Sequence, residues 1–317
     1  MIELKNVCKN YGSTKALDDV SCKVEKGEIV GFVGPNGAGK STTMKIITTY
    51  TAPSSGIATV GGYDVMENPI EVRQQIGYLP ETVPLYYDML VSEYLEFIGK
   101  ARHLNGNLKQ RFDWVVQAAG LENVLQRKIG VLSKGYKQRT CLAQALIHDP
   151  DILILDEPTS GLDPLQIIGV RKLILELSHS KTILLSTHIL SEVTTVCDRI
   201  LVVNGGRLVA DGTFEDLRQQ VTDQNSLTLS VKTTKKEFEA AFKPVSEIQE
   251  IVFEEKTPRG VVTAHLMYPV KTDLIEKINE VVQEQKWTLL EFQPEKLSLE
   301  DSFIRLTQSK NLKEGGA

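Results

Sequence analysis

Short apolar runs alternate with helical periodicity along residues 1 to about 215. Four runs rich in Val, Ile and Leu have the length and composition of buried strands, namely residues 29–33, 152–155, 182–186 and 200–203. Helical patterns lie between such runs, with apolar residues at spacings of three and four. This alternation predicts an α/β fold with a largely parallel core sheet covered by helices.

Two other patterns mark additions to the core sheet. Near the N-terminus, short runs at residues 2–4, 20–24 and 57–60 are separated by glycine-containing turns, which predicts a small antiparallel sheet at one edge of the domain. Between about residues 90 and 145 the apolar spacing becomes helical. We interpret that segment as a helical insertion.

A polar stretch indicates where the first domain ends. Residues 219–226 contain no apolar residue except Val221, which is typical of a linker between compact units. We therefore predict a main domain at residues 1–218 and an accessory domain at residues 226–317.

The accessory domain has its own order of elements. Thr234 and Glu237 form a capping-box pattern that opens a helix, and Leu274 with Ile278 begins the apolar stripe of a second helix. The predicted strands are residues 227–231, 248–253, 261–268 and 288–292, with a turn at residues 258–260 and a last helix from Ser298. The order β-α-β-β-α-β predicts an α+β split βαβ domain of the ferredoxin-like kind.

Composition and charge narrow the class of protein. A chain of 317 residues exceeds the commonest single-domain size, and its net charge of −5 gives no general attraction to nucleic acid, so no nucleic-acid partner is expected. The four cysteines lack the spacing of a zinc site or a disulfide framework and are predicted to be reduced, buried thiols. Residues 1–11 lack the apolar core of a signal peptide, and no apolar run approaches the roughly 20 residues of a spanning helix. We expect a cytoplasmic protein that reaches a membrane only through a partner.

A phosphate-binding loop follows the first buried run directly. The pattern G-x-x-x-x-G-K-[ST] turns backbone amides toward one centre, and the helix behind it adds its positive N-terminal end. Lys40 neutralises the β and γ phosphates in such a loop, and Ser41 offers a hydroxyl to Mg²⁺. The residues of this nucleotide-binding segment are Gly34, Pro35, Asn36, Gly37, Ala38, Gly39, Lys40, Ser41 and Thr42.

An acidic pair ends the apolar run at residues 152–155. Asp156 is placed to hold the water shell of a metal, and Glu157 to act as the base toward an attacking water. An acidic strand end facing solvent is the commoner fate of such a pair, and it would be the preferred interpretation in isolation. The phosphate loop earlier in the chain favours the catalytic one.

Further segments resemble the ATPase subunits of ABC transporters. Residues 132–139 resemble the signature usually written L-S-G-G-Q, with Ser133, Lys134, Gly135 and Tyr136 at its centre. Other matching landmarks are Tyr11 at the adenine-stacking position, Asp163 in the D-loop and His188 at the switch position. The resemblance spans residues 2 to about 215 and implies a P-loop NTPase of the ABC type that binds ATP with Mg²⁺.

The resemblance also implies a mode of action. Lys40, Glu81, Glu157 and His188 would act in catalysis, while the signature residues would contact ATP held by a second subunit, either the same chain or a homologous ATPase. Hydrolysis would drive export through a separate integral membrane permease, which places the protein at the inner face of the cell membrane. Glu81 stands where the family has a glutamine and would act beside Ser41 and Asp156 at the metal. With Lys134 and Tyr136, it resembles an exporter subgroup that includes gliding-motility and sodium-extrusion ATPases.

Several alternatives remain open from the sequence. Tyr11 alone is compatible with a turn aromatic, His188 with a buried histidine, Ser133 and Gly135 with helix capping near Tyr136, and Lys134 with a solvated lysine. A soluble ABC ATPase acting on ribosomes or DNA is a rival function, as is a scaffold that binds ATP without turnover. The accessory domain shows no catalytic motif, and regulation, partner docking and dimer support all fit it.

Overall fold

The computed structural model describes residues 1–104, 106–221, 224–254, 257–258, 260–269 and 274–295. The chain divides into two compact units, Met1–Phe214 and Glu215–Ala317. Each unit has a hydrophobic core of its own. Across the described ranges, no helix combines the length and apolar character needed to cross a membrane.

Among its described residues, the first unit contains ten strands and seven α-helices, and an eighth helix begins at its last residue, Phe214. In chain order they are β1 (Ile2–Tyr11), β2 (Thr14–Val24), β3 (Ile29–Val33), α1 (Lys40–Ile47), β4 (Ser55–Val60), β5 (Tyr63–Asp64), α2 (Pro69–Gln75), β6 (Ile76–Leu79), α3 (Val91–Ala101), α4 (Leu108–Ala119), α5 (Lys134–Leu146), β7 (Ile152–Asp156), α6 (Pro164–Ser178), β8 (Thr182–Thr187), α7 (Leu190–Val193), β9 (Arg199–Asn204), β10 (Arg207–Gly212) and α8 (Phe214–Val221).

The core sheet has six strands in the order β10-β9-β3-β8-β7-β6. Its pairs are parallel except β10 with β9, which confirms the predicted largely parallel sheet. The four predicted strands are its central members. Strands β6 and β10 were not predicted, because β6 has only four residues including Gly77 and β10 is a partly exposed strand at the sheet edge.

The predicted N-terminal antiparallel sheet is present in the order β2-β1-β4-β5. Strands β1 and β2 are longer than predicted and pair from Ile2 with Val24 to Tyr11 with Thr14. The pairing is interrupted by bulges, and Asn6 and Asp19 have positive φ values of 49° and 58°. Apolar residues of this sheet and of the core sheet form one hydrophobic cluster, which fixes the hairpin beside the phosphate loop.

The helical insertion consists of α3, α4 and α5, as the apolar spacing predicted. Leu95 and Val115 are fully buried, so the predicted stripes of α3 and α4 face the interior. The helix α5 begins at Lys134, two residues earlier than expected, because Ser133 is its N-cap and accepts from the Tyr136 amide at 3.4 Å.

The second unit has the predicted order of elements. They are β11 (Gln224–Lys232), α9 (Lys235–Phe242), β12 (Glu250–Phe253), β13 (Val262–Pro269), α10 (Ile275–Glu284) and β14 (Thr288–Glu295). The sheet order is β12-β13-β11-β14 with antiparallel pairs throughout, which is the split βαβ arrangement. The capping box of Thr234 and Glu237 is confirmed at the start of α9. The helix predicted from Ser298 lies outside the described residues, as does Arg259 of the predicted turn.

Candidate active site

The phosphate loop joins the end of β3 to the start of α1. The Lys40 ammonium donates to the carbonyl oxygens of Gly34 at 2.8 Å and Pro35 at 3.3 Å, so the loop wraps around it. Gly39 has a φ of 103°, which favours glycine. A Cβ atom on Gly34 would lie 2.4 Å from the Val203 carbonyl oxygen, so only glycine fits against β9. The glycines are therefore required by this close turn.

Asp156 ends β7 beside the loop, with almost no solvent exposure. Its Oδ1 accepts from the Ser41 hydroxyl at 3.3 Å and from the Ser186 hydroxyl at a shorter distance. The carboxyl ends of parallel strands lie at one edge of a sheet, and this is why residues so distant in sequence meet here. The site thus offers closely spaced oxygens from α1 and β7.

Glu157 is the link between the phosphate loop and His188. Its side chain is 8% exposed, with Oε1 at 3.6 Å from the Lys40 ammonium and Oε2 at 2.9 Å from His188 Nδ1. Its backbone has a φ of 51°, a conformation that residues with a Cβ seldom adopt. The predicted pair of acids therefore splits in space, Asp156 toward Ser41 and Glu157 toward His188.

A cavity of about 550 Å³ opens over this cluster. Residues 14–16 of the first hairpin, the phosphate loop, Glu81, Glu157, Ser160 and His188 line it. Tyr11 belongs to the same hairpin but is not part of the lining. The residue is 48% exposed, with the Lys9 ammonium 5.1 Å from the ring centroid. Glu81 is solvent-exposed and also borders a neighbouring cavity of about 490 Å³ beside Ser41 and Asp156.

The signature residues do not line the cavity that contains Lys40. They lie at the start of α5, against the D-loop of the same chain. A Cβ on Gly135 would meet the Gln166 side chain at 2.2 Å, and one on Gly161 would meet the Lys134 ammonium at 2.1 Å. Asp163 caps α6 by accepting from the Gln166 amide at 2.9 Å. Within one chain, the signature and the phosphate loop are therefore separate sites.

Two residues that support the acids were missed by sequence reasoning. Ser186 pairs with Asp156 in the register of β8 with β7, and a hydroxyl at the end of a strand next to an acidic strand end was the available signal. Gln138 is buried in α5 and donates to the carbonyl oxygens of Glu157 at 3.3 Å and Pro158 at 2.7 Å. Nothing in the spacing of the sequence indicates this second contact.

The donor set fits a hard cation only in combination with a ligand. Ser41 and Asp156 supply oxygen atoms, which Mg²⁺ prefers. In the described part of the chain, no group of three or more His, Cys, Asp or Glu side chains is arranged to hold a metal. Because Mg²⁺ is commonly held by one or two protein oxygens together with substrate phosphates, this sparse set suits a metal carried with a nucleotide.

The cysteines take no part in the site. All four are free thiols, and Cys141 is buried. Burial raises the pKa of Cys22, Cys141 and Cys197 to about 12, so these thiols stay protonated and unreactive at neutral pH. The predicted burial holds for Cys141, whereas Cys8, Cys22 and Cys197 are only partly buried.

Comparison with known proteins identifies the family. The ABC transporter family model matches residues 17–160. The chain is 42% identical over 207 residues to the ABC transporter ATP-binding protein NatA of Bacillus subtilis (strain 168), a match that covers 64% of this chain and 84% of NatA. It is 31% identical over 309 residues to the linearmycin resistance ATP-binding protein LnrL of the same organism, covering 97% of this chain and 98% of LnrL.

A solved structure agrees with these matches. It is a dimeric, post-hydrolysis state of an ATP-binding cassette with ADP and Pi bound. It has a TM-score of 0.61 and 26% identity to this chain, covering 67% of this chain and 98% of that chain. The resemblance drawn from the motifs is thus confirmed, and transport is favoured over action on ribosomes or DNA. The chain belongs to the ABC transporter family, as one of its ATP-binding and ATP-hydrolysing subunits.

Proposed function

We propose that the chain acts as a dimer, with itself or with a homologous ATPase, and drives export through a separate integral membrane permease. The observation that carries the ATP-hydrolysing part of this proposal is the contact of Glu157 with both Lys40 and His188 at the mouth of the phosphate loop. A base, a cation for phosphate and a switch histidine then act on one bound nucleotide.

In this mechanism the loop binds the triphosphate of ATP, with Tyr11 near the adenine. Lys40 exchanges its contacts with the Gly34 and Pro35 carbonyl groups for phosphate oxygens. Glu157 accepts the proton of the attacking water, and His188 holds the Glu157 carboxylate and the γ-phosphate in place. Ser41, Asp156 and Glu81 would hold Mg²⁺, which would neutralise negative charge on the phosphates.

The second half of each site is proposed to come from the other subunit. Ser133, Gly135, Lys134 and Tyr136 would reach the γ-phosphate bound by the partner, and Asp163 would lie at the same interface. Their separation from Lys40 within one chain supports this arrangement, as does the dimeric form of the related cassette. ATP then closes the dimer, and hydrolysis opens it.

We assign the catalytic role to residues 1–218, with the helical insertion at about residues 90–145, and an accessory role to residues 226–317. The match to LnrL runs through both parts of the chain. The proposed location is the cytoplasmic side of the cell membrane, where the permease would hold the protein.

The test of the chemical assignment is Glu157→Gln. This variant keeps the shape of the side chain but loses the base, so we expect ATP affinity within a few-fold of wild type and turnover lowered about a hundredfold or more. Size-exclusion chromatography with MgATP should show accumulated dimer. Glu96→Gln, at an exposed position on α3, serves as the matched control. Normal turnover in Glu157→Gln would contradict the role of Glu157.

The test of the transport assignment is co-purification. The tagged full chain, isolated from detergent-solubilised membranes, should retain an integral membrane protein with several spanning segments and carry ATPase activity with it. Recovery of the activity with ribosomes, or free of any membrane protein, would contradict the proposal.

A further inference from the structure

A buried carboxyl group outside the nucleotide cavity joins two segments of the active site. Glu192 lies in α7 and is 4% exposed. Its Oε1 accepts from the Thr159 hydroxyl at 2.5 Å, and its Oε2 accepts from the Thr187 hydroxyl at 2.8 Å. Each oxygen therefore serves a different segment of the chain.

The two threonines flank the proposed reacting groups. Thr187 directly precedes His188, and its hydroxyl also accepts from the Ile189 amide at 3.0 Å, which fixes it on both sides. Thr159 follows Glu157 by two residues. His188 Nδ1 lies 2.9 Å from Glu157 Oε2. A closed ring of contacts therefore runs from Glu157 along the chain to Thr159, through the Glu192 carboxyl to Thr187, and back through His188 to Glu157.

The two segments of the ring are held in different ways. The carbonyl oxygens of Glu157 and Pro158 are held by Gln138 of α5. Thr187 ends β8 and pairs with Val33 of β3, whereas His188 lies beyond the strand with a side chain 44% exposed. Glu192 joins the hydroxyl at the end of β8 to Thr159, which follows the segment held by Gln138.

The free-energy cost of burying the Glu192 carboxyl group also indicates a specific role for its two hydrogen bonds. A buried carboxyl group is unfavourable unless its oxygens are hydrogen-bonded, and an apolar side chain would fill the same space without that cost. What the carboxyl group adds is a pair of directed hydrogen bonds, which are stronger when the acceptor is charged.

We propose that Glu192 is a positioning residue that sets His188 relative to Glu157, with Thr159 as its fixed point. The inference rests on the roles proposed above for Glu157 and His188. A glutamine at this position has one acceptor oxygen and one amide donor, so one threonine hydroxyl can no longer donate to it and must accept instead. Where that hydroxyl is Thr187, which already accepts from the Ile189 amide, the change disturbs the segment that carries His188.

The experiment measures the ATPase kinetics of the full chain with Glu192→Gln. We expect kcat to fall about tenfold while KM for MgATP changes less than about twofold, since the contact acts on orientation and not on nucleotide binding. Glu176→Gln, at an exposed position on α6, is the control and should match wild type. Thr187→Val and Thr159→Val keep the side-chain volume and remove one hydroxyl each, so each should also lower kcat. They provide the test if Glu192→Gln folds poorly.

A double-mutant cycle with His188→Ala separates positioning from a general structural role. If Glu192 acts through His188, then Glu192→Gln should lower kcat by less than about twofold in the His188→Ala background. An equal loss in both backgrounds would overturn the proposal, as would an unchanged kcat in Glu192→Gln alone.

A second readout does not depend on turnover. In histidine-labelled protein the ring resonance of His188, identified by its loss in His188→Ala, should shift in Glu192→Gln, while that of His103 stays in place. An unmoved His188 resonance would overturn the proposal. A normal kcat in His188→Ala would instead contradict the proposed function of His188, and the resonance would still report whether Glu192 positions it.

Discussion

The backbone of Glu157 is held in a conformation that costs free energy. Its φ of 51° is in the left-handed region, where a Cβ crowds the backbone. Four hydrogen bonds hold its backbone there. The amide donates to the Ser186 carbonyl oxygen at 3.1 Å and to the Ser186 hydroxyl at 3.3 Å, and the carbonyl oxygen accepts from Gln138 at 3.3 Å and from the Ser160 amide at 3.1 Å. The strain directs the carboxylate away from β7 and toward His188, and strained residues of this kind cluster at functional sites.

Replacing Glu157 by glycine and by alanine should measure this strain. Both variants lose the proposed base, but glycine accepts a positive φ without steric cost, so Glu157→Gly should exceed Glu157→Ala in free energy of unfolding by about 1 kcal/mol. Chemical denaturation gives the difference. The same pair at Glu176 within α6 is the control, where alanine should be the more stable by about 1 kcal/mol. Equal stabilities at position 157 would show that the conformation carries no strain.

Loss of the Ser186 hydroxyl should weaken the binding of Mg²⁺ more than the binding of the nucleotide. Its hydroxyl donates to Asp156 Oδ1, the oxygen that also accepts from Ser41. Without that donor the Asp156 carboxylate loses its orientation, and loss of such supporting contacts weakens metal binding about tenfold or more. We expect Ser186→Ala to raise the Mg²⁺ concentration for half-maximal ATPase activity by about that factor. Ser180→Ala, exposed after α6, should leave the Mg²⁺ titration unchanged; an unshifted titration in Ser186→Ala would remove Ser186 from this role.

At the scale of elements, the site is assembled where β3, β7 and β8 end side by side. The sequence predicts each of these strands because each is a short run of apolar residues. It predicts the phosphate loop because the residues of that motif are only a few positions apart. It does not predict that β8 lies between β3 and β7, since strand order depends on how distant segments pack. The contact of Asp156 with Ser186 follows from that order.

The turn after α5 carries a histidine whose protonation is linked to folding. His148 Nε2 donates to the Ile76 carbonyl oxygen of β6 at 3.0 Å, and its buried Nδ1 has no hydrogen-bond partner among the described residues. Burial, reinforced by the nearby Arg102, lowers the pKa of His148 to about 4 from an ordinary value of 6.5. The folded state therefore holds this ring neutral at pH values where the unfolded chain binds a proton.

Stability should consequently fall as the solution becomes more acidic. Between pH 6.5 and about 4 the unfolded state binds the extra proton at His148, so the free energy of unfolding decreases with falling pH, by about 2 kcal/mol at pH 5. Above pH 6.5 this contribution is fully present. His148→Gln keeps a donor for Ile76 but cannot titrate, so its unfolding midpoint should change less than that of wild type between pH 7 and 5. Parallel pH profiles for the two proteins would contradict the assignment.

At the scale of the whole molecule, the two units have separate cores. That of the second unit includes an aromatic cluster in which Phe238 and Phe242 have ring centroids 4.7 Å apart and Trp287 stacks on Phe238 at 5.9 Å. The chain has two tryptophans, and the other, Trp114, lies in the helical insertion of the first unit beside Arg111. Each unit thus carries its own fluorescent reporter.

Phe238→Ala should destabilise the second unit. Loss of a fully buried phenylalanine ring costs about 3–5 kcal/mol, so the transition reported by Trp287 should move to lower denaturant concentration. The transition reported by Trp114 should stay in place and move upward with MgATP. Trp114→Phe and Trp287→Phe isolate the two signals. Simultaneous movement of both transitions in Phe238→Ala would argue against separate domains at residues 1–218 and 226–317.

The sequence by itself determined the chemistry and the order of elements, because both depend on residue type and on spacing over a few positions. The phosphate loop, the acidic pair, the capping box of α9 and the β-α-β-β-α-β order are of this kind. Only the tertiary structure decided the positive φ of Glu157 and the partners of the acids. Ser186 is 30 residues from Asp156 and Glu192 is 33 residues from Thr159. Such contacts exist only after the sheet has brought those segments together, so no local pattern records them.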